Sequence, residues 1–312
     1  MNICCFNNSY IEYLYVVIPY FNFCNYKKRK SLFLDFIQHI KNHNNIRIII
    51  AELRENDKSF DLPDLNRYCN IYKHFRFTTK DCIWLKENII NLAILRLTDN
   101  WKYIAWIDAD IIFMNKLWVN NTISALKTYN VLQLFQTAVN MGPNGEAIQI
   151  DNSFAYMHSC SNNKLNEKQK YTYWHPGFAW ACTKEAYYHI GGLIDFAILG
   201  AADYHMAMAF IGNVEKSYPI EIDVEYKKLL KIYETKAKNM NLGYIKGTIL
   251  HRWHGSLENR KYTQRWDILT KNNYIPSEDI YSDDNGLIQL TDSGDRLKQL
   301  IHLYFEERHE DE

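Results

Sequence analysis

Residues 103–115, YIAWIDADIIFMN, decide how this chain is to be read. Tyr103–Ile107 is an apolar run of aromatic and β-branched residues, too short for a helix, and it ends in Asp108-Ala109-Asp110. A buried strand that runs straight into carboxylates is the pattern of the carboxyl edge of an open α/β sheet, where ligands bind. In an extended segment residues two apart share a side, so Asp108 and Asp110 point together and Ala109 points away. Two carboxylates held close repel each other unless they share a cation. Mg²⁺ or Mn²⁺, completed by substrate phosphates, suits such oxygen ligands. The competing reading is an acidic turn with two solvated aspartates.

Outward from this stretch, short apolar runs alternate with amphipathic ones. Upstream, Tyr13–Pro19 reads as a strand stopped by Pro19, residues 27–43 as a helix, Ile46–Leu53 as a strand and Asp81–Leu97 as a helix. Downstream, Leu117–Tyr129 reads as a helix, and Val131–Phe135 and Phe178–Cys182 as strands. Helices are expected over Lys184–Ile190, Ala202–Ile211, Glu221–Met240, Leu257–Lys271 and Thr291–Glu307, and a strand over Tyr244–Trp253. Residues 138–173 are polar, with Gly142-Pro143-Asn144-Gly145, and read as a long loop holding at most a hairpin. The alternation predicts an α/β fold: a mostly parallel, Rossmann-like central sheet flanked by helices.

Composition narrows the function. The 312 residues carry 36 basic and 36 acidic side chains, so the formal charge is 36 − 36 = 0 and no basic face points to nucleic acid. Seven cysteines without a CxxC pair (Cys4, Cys5, Cys24, Cys69, Cys82, Cys160 and Cys182) argue for reduced thiols rather than disulfides or a zinc site. The longest apolar stretch, Tyr13–Phe21, is too short to span a bilayer and lacks the basic flank of a signal peptide. The expectation is a soluble, cytoplasmic protein, in the host cytoplasm if the chain is viral. No GxGxxG, P-loop, GxSxG or HExxH pattern is present.

Three further segments carry candidate chemistry. In "LHRWHGSLENRKYTQRW", His251 and His254 lie three apart at an expected strand end, followed by Arg260, Tyr262 and Arg265. A neutral imidazole can complete an oxygen-rich metal site and an arginine can grip phosphate oxygens; the alternative is two partly buried histidines and a basic helix face. In "YWHPGFAW", Trp174, His175, Gly177 and Trp180 could present rings to a sugar. In "GGLIDFAILGAAD", Asp195 and Asp203 are the candidate acids or bases and Gly200 permits close backbone approach, although Asp203 would equally serve a helix start. Pro19, Tyr20 and Asn22 after the first strand, with Glu52 and Arg54 at the end of the second, could meet a base and ribose.

In this order the segments resemble the GT-A glycosyltransferase superfamily, in particular galactosyl- and N-acetylgalactosaminyltransferase-like enzymes, over roughly residues 13–266. The resemblance implies a single GT-A-like domain over residues 1–275, with a donor half at 1–137 and an acceptor half at 138–275 forming a smaller sheet and helix module; residues 276–312 are a C-terminal helical extension. It implies a hexosyl- or N-acetylhexosaminyltransferase that moves a sugar from a nucleotide sugar, a UDP-sugar first, to a hydroxyl on a glycan or protein. It implies Mn²⁺ or Mg²⁺ on Asp108, Asp110 and His254 or His251. The donor would meet Pro19, Tyr20, Asn22, Glu52, Asn88 or Asn91, Asp108, Arg260 and Tyr262. The acceptor would meet Trp174, His175, Gly177, Trp180, Asp195 and Gly200. Asp203 would act as base in an inverting reaction, or orient the acceptor in a retaining one. The chain departs from the family in having Ala201-Ala202 before a single acidic residue. A nucleotide-sugar-binding protein without turnover is the alternative. A phosphohydrolase using the DxD aspartates is disfavoured by Ile112 where such enzymes carry Thr or Val. The acidic end, "YFEERHEDE", reads as a frayed helix terminus.

Overall fold

The computed structural model describes residues 11–65, 70–160 and 174–312. Cys4, Cys5, Cys69 and part of the expected loop at 138–173 lie outside these residues. The chain opens with β1 (Leu14–Phe21), α1 (Lys27–Ile40), β2 (Ile46–Glu55), β3 (Ile71–Thr79), α2 (Lys86–Leu95) and β4 (Tyr103–Ile107). Then come β5 (Ile111–Phe113), α3 (Trp118–Ala125), β6 (Val131–Gln133), β7 (Thr137–Met141), β8 (Ala147–Ser153), α4 (Phe154–Cys160), β9 (Trp174–His175) and β10 (Ala179–Thr183). The second half holds α5 (Lys184–Ile190), α6 (Ala202–Phe210), α7 (Val224–Ala237), β11 (Leu242–Tyr244), β12 (Thr248–His251) and α8 (Trp266–Thr270). Last are α9 (Pro276–Asp279), β13 (Ile280–Ser282), β14 (Ile288–Leu290) and α10 (Asp295–Glu306).

Seven strands form the central sheet in the order β11-β6-β10-β4-β1-β2-β3. All run parallel except β10, which is antiparallel to both neighbours. The alternation of β1 explains the layering: Leu14, Val16 and Ile18 join one apolar cluster with Phe33, Phe36 and Ile37 of α1. Tyr15, Val17 and Phe21 join the opposite cluster with α2, α6 and α10. Both faces of the strand are buried, as a parallel sheet requires. A second sheet, β5-β12-β7-β8-β9, stands beside the first. The mostly parallel α/β architecture with a smaller sheet is the expected fold class. Among the described residues no helix is long and apolar enough to cross a membrane.

Several element boundaries differ from the sequence reading. Pro19 does not stop β1: β4 pairs with it only as far as Val17, and beyond that point β1 has one partner, a position proline tolerates. The helix expected from Asp81 begins at Lys86, because Asp81 is held elsewhere, its carboxylate accepting from Leu290 N–H at 2.8 Å and from Lys298. The strand expected over Tyr244–Trp253 is two strands in two sheets, divided at Gly247, whose φ of +146° favours glycine. The helix expected over Leu257–Lys271 is a 3₁₀ turn at Glu258–Arg260 and the short α8, separated by Lys261 at φ +47°. Within 138–173 the chain forms the β7–β8 hairpin and α4. β3 and the β13–β14 hairpin were not anticipated. The acidic end is not frayed: α10 closes at Glu306, and Arg308 and Glu310 beyond it are buried.

Candidate active site

A cleft of about 400 Å³ opens where β1 and β4 end. Its walls are Pro19–Phe21 and α1, the 108–110 turn, the β7–β8 hairpin, the start of α6, and the 251–265 segment. The corner between the two sheets is fixed by backbone pairing. β12 lies antiparallel to β5, with His251 opposite Ile111, and Arg252 N–H donates to the Asp110 carbonyl at 2.8 Å. That ladder brings the DxD turn against the late histidines.

Three side chains converge there. Asp110 Oδ2 lies 3.0 Å from His254 Nε2 and 3.8 Å from His251 Nε2, and the two imidazole nitrogens are 3.1 Å apart. Their ligand atoms all fall within 4.8 Å of one another. Asp110 Oδ1 is buried without a hydrogen-bond partner, which a native fold rarely tolerates. Two imidazoles and one carboxylate that keeps a spare oxygen are a donor set that fits Mn²⁺. Burial works to raise the Asp110 carboxyl, but the facing His251 and His254 outweigh it and hold the group well below the usual range. Burial lowers His251, favouring the neutral form that can ligate.

Asp108 shares the cleft but not the cluster: its Oδ1 pairs with Lys86 Nζ at 2.7 Å. Lys86 opens α2, and the next residue, Glu87, receives Trp84 Nε1–H at 3.1 Å. Burial, reinforced by Asp203 and Asp108 and opposed by Lys86, pushes the Glu87 carboxyl up to about 7. In the same cleft, Asp203 lies in the first turn of α6, with Oδ1 accepting Tyr204 N–H at 2.8 Å. Asp203 therefore does serve the helix start while lining the cleft. A Cβ on Gly177 would sit 2.8 Å from Asp203 Oδ2 and 3.1 Å from His175 Cε1, so glycine there keeps a slot open between them. His175 stacks flat on Phe178 at 3.9 Å and accepts Gly177 N–H at Nδ1. Burial, only partly offset by Asp151 and Asp203, lowers His175 to about 4.

Of the residues singled out from sequence, the cleft gathers Pro19, Tyr20, Asp108, Asp110, Trp174, His175, Gly177, Asp203, His251, His254, Arg260, Tyr262 and Arg265. It does not gather the rest. Glu52 is fully buried, accepting from Leu62 N–H and pairing with His74 and Arg76. Arg54 donates to the carbonyls of Glu55 and Asn56. Asn22 ties the turn before α1 through Tyr26 and Asp61. Asn88 and Asn91, expected toward the donor, point to Asp195 on the far side of α2. Trp180 is core, its Nε1–H donating to the Pro176 carbonyl. Gly200, at φ +88°, is where Arg265 packs, since a Cβ would meet its Nη1 at 2.9 Å.

The sequence reading missed Lys86, Glu87, Asn140, Gln149, Asp151 and Arg308, all in the cleft wall. Asn140 and Gln149 face each other across the hairpin, and both donate to Asp151. The strand alternation of that hairpin was the available signal. Arg308 and its partner Glu310 offered none, because a charged run reads as solvated.

No family model matches the chain, and no curated protein matches it. Among solved structures, the catalytic domain of Drosophila β1,4-galactosyltransferase 7, in complex with xylobiose, is 11% identical with a TM-score of 0.40 over 90% of this chain and 93% of that one. A mannosyltransferase from Pyrobaculum calidifontis, in complex with GDP-Man and Mn²⁺, is 13% identical with a TM-score of 0.43 over 96% of this chain and 70% of that one. TarS 1–349 of S. aureus is 10% identical with a TM-score of 0.44 over 77% of this chain and 60% of that one. Likeness of this degree carries no argument about activity, which has to come from the site itself.

Proposed function

We propose that this chain is a metal-dependent glycosyltransferase of GT-A type, moving a hexosyl or N-acetylhexosaminyl group from a nucleotide sugar, a UDP-sugar first, to a hydroxyl of a glycan or protein. The observation that carries the reading is the meeting of Asp110, His251 and His254 at the carboxyl edge of the sheet, with Asp203 in the wall of the same cleft. Mn²⁺ or Mg²⁺ held by these three side chains would supply a Lewis acid for the departing diphosphate.

The chain's own residues then divide the work. Pro19, Tyr20 and Phe21 with Leu32 and Phe33 give the cleft an apolar end suited to a nucleobase. Lys86, Arg260, Arg265 and Arg308 bring fixed positive charge to where negative charge develops on the leaving group. Asp203 Oδ2, beside the Gly177 slot, takes the proton of the acceptor hydroxyl in an inverting reaction. His175, neutral and accepting at Nδ1, carries its proton on Nε2 as a donor to the acceptor. Trp174 adds an aromatic wall. One observation favours a second reading, nucleotide-sugar binding without turnover: Asp108 is already tied to Lys86.

A thermal-shift panel of nucleotide sugars with and without Mn²⁺, followed by assay of released nucleoside diphosphate, tests both. The cognate donor should raise Tm only with metal present. Release of diphosphate supports transfer, and a shift without release supports the binding protein. No shift for any nucleotide sugar would sink both.

A further inference from the structure

This inference rests on the nucleotide-sugar reading and asks what holds the cationic wall of the cleft in shape. Four arginines line the cleft: Arg29, Arg260, Arg265 and Arg308. One buried carboxylate, Glu310, lies among three of them. Arg29 grips both of its oxygens, with Nε at 2.8 Å and Nη2 at 2.6 Å, and spends Nη1 on the Phe21 carbonyl at 3.0 Å. Every side-chain nitrogen of Arg29 is thus committed to protein, and the pair ties Glu310 to α1. Arg260 Nη1 reaches the same carboxylate only at 3.9 Å.

Arg308 is held differently. Its Nε–H donates to Glu310 Oε1 at 2.7 Å, its one side-chain hydrogen bond among the described residues. The guanidinium carbon lies 5.4 Å from the Trp84 ring centroid and 5.9 Å from that of Tyr304. Trp84 is itself fixed, its ring parallel to Phe305 at 6.2 Å and its Nε1–H on Glu87. One charged hydrogen bond and two rings therefore hold the guanidinium, while Nη1 and Nη2 keep their donors. Neither is sealed off as Arg260 Nε is. A planar guanidinium held at Nε offers those two nitrogens as a fork that matches two oxygens of a phosphate. The Tyr304 phenol registers the surrounding charge: burial works to raise it, but Arg308, Arg265 and Arg260 outweigh burial and hold it below its ordinary value. Buried cations in excess of their carboxylate call for an anion.

We propose that Glu310 is a positioning residue for the diphosphate of the nucleotide sugar: anchored by Arg29, it fixes Arg308 through Nε so that the two free amino groups meet phosphate oxygens. Arg308 touches the phosphate, and Glu310 acts through Arg308. Charge alone argues for the opposite sign. A carboxylate beside an anion repels it, so neutralising Glu310 would tighten binding. Loss of position weakens binding instead. In Glu310→Gln the amide sets an N–H₂ against a guanidinium donor in either orientation, and Arg308 or Arg29 must turn away.

The test uses the full chain. UDP is titrated calorimetrically at saturating Mn²⁺, with GDP where UDP gives no heat. Glu310→Gln should weaken binding by about 10- to 100-fold, as for one lost charge-assisted hydrogen bond. Arg308→Lys keeps the charge but not the fork and should weaken binding by about 10-fold or more, a test that stands even if Glu310→Gln does not fold. Adding Glu310→Gln to Arg308→Lys should cost little further, because both act on one contact. Glu307→Gln is the charge control. Glu307 stands one position before Arg308 and pairs with Lys261 Nζ at 2.7 Å, so its loss should leave affinity within about twofold of wild type. Binding by Glu310→Gln equal to or tighter than wild type, or wild-type affinity in Arg308→Lys, overturns this inference and leaves the nucleotide-sugar reading standing. If wild type binds neither nucleotide, that reading falls and this inference with it.

Discussion

Two buried polar clusters in this molecule use similar residues to opposite ends. One surrounds Asp195 behind α2. Asn88 and Asn91 donate to its carboxylate at 3.2 and 3.3 Å, Asn91 also receives Tyr187 O–H and Leu193 N–H at 2.9 Å each, and Asn88 receives Ile288 N–H at 3.1 Å. Neither asparagine nor Asp195 leaves a buried side-chain atom unpartnered. The other cluster surrounds Asp110, where a carboxylate oxygen and, two contacts away, the Arg260 Nε are buried and unpaired. The first joins α2 to the 193–195 segment and the β13–β14 hairpin. The second keeps bonding capacity in reserve. Between these two clusters polar residue type does not separate the site from the brace; the unmet hydrogen-bonding capacity does.

Substitutions should sharpen that contrast. Asp110→Ala is expected to reduce transfer by about 10³-fold or more, equivalent to about 4 kcal/mol of transition-state stabilisation, with Tm little changed. Steady-state kinetics beside a thermal melt checks both halves. Asp195→Ala should do the reverse, leaving turnover of the folded protein near wild type while stability falls.

A pH series probes the intermediate case of Glu87, buried in the cleft wall with its carboxyl near 7 against an ordinary value of 4.5. The folded-state value is the higher one. Its stabilising contribution is therefore complete below the unfolded value and lost as pH rises through 7. The loss should approach about 3 kcal/mol by about pH 8. Glu87→Gln should remove that slope in denaturant melts; a slope unchanged by the substitution would show that Glu87 is not the titrating group.

The smallest effect is expected at Asn91. Asn91→Ala strands Tyr187 O–H and Leu193 N–H and should cost about 1–3 kcal/mol. Mn²⁺ affinity should not move, and a change in it would break the division between brace and site.

The sheet was legible because its strands are short apolar runs between polar ones, and β4 with its aspartates was read at its true boundaries. The pairing of Asp110 with His251 and His254 was legible too, since strand ends collect on one edge. What sequence could not supply was partnership. Glu52 stands at the end of β2 as expected, but its carboxylate is taken by Leu62, His74 and Arg76. Asn88 and Asn91 lie on the expected helix and face the other way. Glu310 finds Arg29 across 281 positions of chain, a separation at which no local pattern carries information. The Pro19 and Gly247 boundaries turned on which strands lie alongside, which is tertiary knowledge.

The seam where β5 meets β12 gives the three converging side chains unequal freedom. Asp110 and His251 are stitched together by main-chain bonds and can part only if that ladder unzips. His254 sits past the end of β12, next to a left-handed Gly255 where a Cβ would meet the His309 carbonyl at 2.7 Å. Of the trio it alone lies outside that ladder, so its placement depends on a short bend and on the buried Arg260 beside it rather than on the pairing of the two sheets.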